Sequence, residues 1–190
     1  MIITSIPEFS LQHADELGLL RVAWAAGDHM RTFQSGAGLL LNLISELRVR
    51  HLVLDFNTLP DISVYDQLWL GANWMPGLVK LPVERVVLVI NRRRVHNQLA
   101  IDSLIALSRP FIRFDIQFFP TVVSGLHWVS DYSGRMPALL AEWDAVHGPL
   151  PPPLPGSLAE PPVFYRPGAP RPAPSALVPF LGRRGSPLSI

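Results

Sequence analysis

Val86-Val87-Leu88-Val89-Ile90 is an unbroken run of five apolar residues, four of them β-branched, bounded by Arg85 and Asn91. A strand wetted on one face alternates polar with apolar residues. A run without alternation belongs between two covered faces, as in a parallel sheet packed by helices. Working upstream, His51-Leu52-Val53-Leu54-Asp55-Phe56 reads as a second buried strand. Downstream, residues 114–119 read as a last one. The intervals carry helical spacing. Phe33, Ala37, Leu40, Leu41, Ile44 and Leu47 form a three- and four-residue stripe within a helix over 30–50. Residues 63–81 read as a second helix, interrupted at Pro76-Gly77, and Val95–Ser108 as a third. Residues 9–12 and 19–25 flank the polar stretch 13–18 as a hairpin, and 121–131 and 137–147 read as short closing helices. The alternation predicts an α/β domain over residues 1–148, a mixed β-sheet of about five strands with helices packed on it.

The composition changes at Pro149. Of the chain's 20 prolines, 13 fall in 149–190, where neither helical nor strand periodicity survives. Proline fixes φ and removes a donor, so this stretch predicts a disordered proline-rich tail. Within it, Arg183-Arg184-Gly185-Ser186-Pro187 has the form of a basic-directed kinase site, and Val178-Pro179-Phe180-Leu181 that of a short docking motif. Strings this short recur by chance in Arg- and Pro-rich sequence.

Hydrophobic residues make up 48% of the 190-residue chain and charged residues 16%, enough to fill a core. No apolar run approaches the roughly 18 residues of a membrane-spanning helix, so no integral membrane segment is expected. The N-terminus lacks the basic and long apolar regions of a signal peptide. With no cysteine, disulfides and thiolate chemistry are excluded, which fits a cytoplasmic location. The formal net charge of +1 gives no field for nucleic acid.

The loop Asp55-Phe56-Asn57-Thr58-Leu59-Pro60-Asp61-Ile62-Ser63-Val64-Tyr65-Asp66 lies beyond a strand's carboxyl end, where α/β proteins often bind ligands. Asp55, Asp61 and Asp66 could serve a metal-dependent enzyme there. Three scattered carboxylates make a poor octahedral site, however, and Ser63-x-x-Asp66 has the spacing of a helix cap. Tyr65 and Trp69, four residues apart, either widen the core-facing side of the second helix or form an aromatic patch for a partner. Arg92-Arg93-Arg94 ahead of the third helix reads as a solvated loop or as an anion-binding cluster. Ser35-Gly36-Ala37-Gly38 falls inside a helical pattern and matches no nucleotide-binding fingerprint. The six histidines are isolated in sequence, and no cofactor or metal site is predicted.

The order Leu54-Asp55-Phe56-Asn57, Ile62-Ser63, Trp69, Trp74-Met75-Pro76, Val86–Ile90, Phe118-Phe119 and Trp128-Val129 resembles bacterial proteins of the STAS-like group, the sulfate transporter and anti-sigma factor antagonist domains. The resemblance covers roughly residues 8–132. It implies a non-catalytic regulatory module that binds a protein partner through the second helix and its preceding loop, with Asp61, Ser63, Tyr65 and Trp69 at the contact. Anti-sigma antagonists carry a phosphorylated serine in an Asp-Ser-Ser-Gly stretch at this helix start. Here the region reads Ile62-Ser63-Val64-Tyr65-Asp66, without the Ser-Gly pair, which leaves Ser63 as the nearby candidate phosphoacceptor. A small apolar-ligand, lipid-like carrier is the alternative that the hydrophobic content allows, and a homo-oligomer is compatible with either.

Overall fold

The computed structural model describes residues 1–91, 94–131 and 134–149, together with the backbone of 163–165. It is a mixed α/β fold. Seven strands form one sheet: β1 (Ile2–Ile3), β2 (Phe9–Ala14), β3 (Leu19–Trp24), β4 (His51–Asp55), β5 (Arg85–Val89), β6 (Asp115–Phe119) and β7 (Val163–Tyr165). Strands β2 to β6 are those the sequence predicts. The two short edge strands were too brief to leave a period. β7 lies within the proline-rich stretch and pairs antiparallel to β6, Phe118 opposite Val163 and Ile116 opposite Tyr165. The rest of that stretch lies outside the described residues.

The opening pair β2–β3 is antiparallel, closed by a turn of 3₁₀ helix at Asp15–Leu17 and by Gly18 at φ +57, a left-handed position glycine tolerates. From β3 to β6 every pairing is parallel, and spatial order equals chain order. Right-handed crossovers that always step the same way place their helices on one face. These are α1 (Phe33–Glu46), the segment α2 (Val64–Trp69) with α3 (Met75–Leu78), and α4 (Val95–Ser108). Their buried residues, among them Leu40, Ile44, Leu78, Ala100 and Ile101, pack on Leu20, Val22, Leu52, Val86, Leu88 and Ile116. The opposite face, with Leu19, Val53, Val87 and Val89, lies under α5 (Val122–Val129) and α6 (Met136–His147). The uninterrupted run at β5 is thereby explained: alternate side chains enter two different cores. Gly125 of α5 sits so close to the sheet that a Cβ there would collide with Cγ1 of Val87.

The second helix departs from expectation. Between α2 and α3, residues Leu70–Trp74 form a π-turn, in which the Met75 N–H donates to Leu70 O five residues back. Pro76, near the start of α3, has no N–H to continue an α-ladder, and the preceding turn widens to receive it. The extra residue shifts the helical phase. At three- and four-residue spacing Leu68, Ala72, Met75 and Val79 form the stripe expected to face the sheet; Met75 is buried and Val79 half-buried, but Leu68 and Ala72 are exposed, and Leu70, Trp74 and Leu78 are buried.

Candidate functional site

The loop between β4 and α2 is bolted down from both sides. Ser63 caps α2: its Oγ accepts the Asp66 N–H at 3.1 Å and donates to Asp66 Oδ2 at 2.6 Å. The other oxygen of Asp66 accepts from Gln34 Nε2 of α1 at 2.9 Å. On the α4 side, the fully buried Asn97 accepts the Ile62 N–H at 2.9 Å and donates to Pro60 O at 3.0 Å. A ring nitrogen of His96 lies 3.0 Å from Ile62 O. Arg94 donates to Asn57 O at 3.2 Å, while Asn57 Oδ1 receives the Asn91 N–H at 2.9 Å. Asn97 has a sequence signal that was overlooked. It shares the apolar stripe of Ala100, Ile101 and Leu104, where a lone polar residue needs buried partners.

This bracing separates the three loop carboxylates. Asp66 is committed to Ser63 and Gln34, and Asp61 is exposed. Asp55 accepts the Asn57 N–H at 3.0 Å, and burial pushes its carboxyl above the usual range, against that hydrogen bond and the nearby Arg21 charge. Among the described residues no three His, Asp or Glu side chains converge to hold a metal ion. The strand order never reverses, so the crevice a reversal would open beyond the strand ends is not formed by the described strands. Of the arginine triplet, Arg94 braces the loop, and Arg92 and Arg93 lie outside the described residues.

The outer face of α2 has a different character. Val64, Tyr65 and Leu68 are 69%, 73% and 69% exposed, three large apolar side chains on one short helix. Val95 and Leu99 are also exposed, near the start of α4, which His96 and Asn97 tie to the same loop. Trp69 is half-buried and packs against the core. Of the four predicted contact residues, Asp61, Ser63 and Tyr65 thus lie at the surface, while Trp69 belongs largely to the core side.

Two further features lie within the fold. An apolar cavity of about 110 Å³ lies between the sheet and the layer of α1, the π-turn and α4. On the opposite face, Arg21 is wholly buried, its guanidinium 3.5 Å from the ring centroid of Trp143 on α6. None of its three nitrogens has a hydrogen-bond partner among the described residues. Burial pulls its pKa down to about 10, against the opposing pull of Asp55 and Asp144.

No family model, no curated protein and no solved structure matches this chain. Among the described residues no helix is long and apolar enough to cross a membrane.

Proposed function

We propose that the chain is a non-catalytic, STAS-like interaction module that binds a protein partner through the outer face of α2. The observation that carries this reading is the exposed row Val64, Tyr65 and Leu68 on a helix whose start is capped by Ser63 and whose entry loop is clamped by Asn97. Contiguous apolar exposure on a rigid element marks interaction surfaces, because burial on a partner releases its water without a large ordering cost. Tyr65 is the anchor, Leu68 and Val64 extend it, and Asp61 and Ser63 form the polar rim. Trp69 supports the face from behind. The order of elements, an antiparallel opening pair followed by strand–helix alternation, is compatible with this reading.

A lipid-like carrier is less well supported. Pockets that enclose drug-sized ligands measure roughly 300–1,000 Å³; the apolar cavity under the π-turn is about 110 Å³, and the open cleft of about 780 Å³ beside α6 is lined by Asp15, Glu16, Arg135 and Glu142, which do not suit a lipid-like ligand.

A photo-crosslinking residue at position 65, compared with one at the exposed Leu107 of α4, tests the proposal in cells that express the chain. A discrete adduct from position 65, absent from 107, is the expected result. Equal background from both sites would overturn it. An adduct at twice the chain mass would make the partner a second copy.

A further inference from the structure

The cavity beneath the π-turn has an organised wall. Six aromatic residues line it: Phe9, Trp24, Phe33, Phe56, Trp74 and Phe114. Both indole N–H groups are already used, Trp24 Nε1 donating to Gly27 O at 2.6 Å and Trp74 Nε1 to Ala37 O at 2.9 Å. A buried water needs two to four polar partners, so a wall of this kind stays dry. Asp55 is the one charged residue among those lining it, and its carboxylate accepts the Asn57 N–H.

The placement also points to use. Leu70 and Trp74 bring the two ends of the π-turn into the wall, and π-turns inside helices concentrate at functional sites. Phe9, Leu54 and Phe56 are half-buried lining residues near the carboxyl ends of β3 and β4. The lining therefore reaches toward the surface at that end of the sheet.

We infer that this cavity is a binding site for a compact, uncharged, hydrocarbon-like molecule, best matched by a single aromatic ring. A dry apolar cavity of about 150 Å³ admits benzene. A volume of about 110 Å³ therefore sets the ceiling near one ring, with small side-chain adjustments. A charged head would enter without a partner, which excludes fatty acids on chemistry as well as size. The inference does not depend on the α2 face binding anything.

Benzene titrated into the full chain, with Leu, Ile and Val methyl groups observed by NMR, tests it. The expected result is saturating ring-current shifts confined to lining methyls such as Leu40, Leu88 and Ile101, with a rise in melting temperature. At ten times the dissociation constant, the folded-to-unfolded ratio rises about elevenfold. Hexanoate, equal in carbon count but charged, produces neither. Ala37→Leu fills the space from a lining position on α1 and abolishes the shifts; Leu104→Phe is the second filling variant should the first fold poorly. Absence of saturating shifts in the unmodified chain would overturn the inference. So would equal shifts in a folded, filled variant, since benzene would then be on the surface.

Discussion

Arg21 holds a charge in a wholly buried position, and among the described residues an aromatic face meets its guanidinium in place of hydrogen bonds. Stacking on indole suits guanidinium, which is weakly hydrated and planar, but a guanidinium without acceptors among the described residues is costly. An apolar side chain of similar length should do at least as well: Arg21→Met is expected to leave the urea midpoint unchanged or raised at neutral pH. Trp143→Ala strips the stack and opens the interface, and should cost about 3–5 kcal/mol. Collapse of the Met variant would show that the guanidinium has partners the fold needs. Arg21 was illegible in the sequence for a simple reason. An arginine between Leu20 and Val22 reads as an outward-facing strand position, and nothing local announces that α6 returns to cover it. Ser63 was legible because a cap is encoded within four residues. Histidines add a pH response. Burial, first of all, holds His13, His51 and His147 below the ordinary imidazole value. For His13 the Asp15 charge opposes this, and the terminal ammonium adds to it. The unfolded chain then binds more protons than the folded one below about pH 6.5. The histidine contribution to stability should be full above that value and fall as the pH drops through the depressed pKa values, while the raised carboxyl of Asp55 works in the opposite sense at lower pH. Thermal melts between pH 7 and 5 should show the decline, and His13→Gln should flatten it.

At the scale of elements, α2, the π-turn and α3 decide which side chains the surface receives. The sequence reading placed the interruption at Pro76-Gly77 itself. The ladder in fact adapts before the proline, since the widened turn has to precede the residue that lacks an N–H. One residue of slip is about 100° of rotation in a helix of 3.6 residues per turn. Leu70 and Met75, five residues apart across the π-turn, are both buried, a spacing that no 3.6-residue periodicity count over 63–81 registers. Two substitutions separate cap from contact. Ser63→Ala should cost about 1 kcal/mol in chemical denaturation, because the Asp66 N–H loses its acceptor. Tyr65→Ala should change stability by less than about 0.5 kcal/mol while weakening any adduct formed through the α2 face. A large destabilisation from Tyr65→Ala would place that ring in the fold and not at a contact.

Across the whole molecule, the class of fold was written in two buried strands and the helices between them, while the arrangement of strands was not. Hydrophobic runs report burial on both faces; they carry no record of which neighbour a strand takes. Here each crossover advances by one strand, so the sheet grows in chain order and ends at β6 with one edge to be satisfied. Val163–Tyr165 supplies it, from a segment whose prolines hid a three-residue pairing from any search for strands. The consequence concerns company more than stability. A sheet edge with free N–H and C=O groups is a template that accepts any extended chain, another copy of the same protein included. Three residues of the chain's own proline-rich stretch occupy that edge and replace it with a much shorter one, which leaves less backbone for another chain to pair with. A chain ending at residue 149 should keep its melting behaviour nearly intact, yet show self-association that grows with concentration in sedimentation velocity, and lose it again when a peptide spanning 161–167 is added.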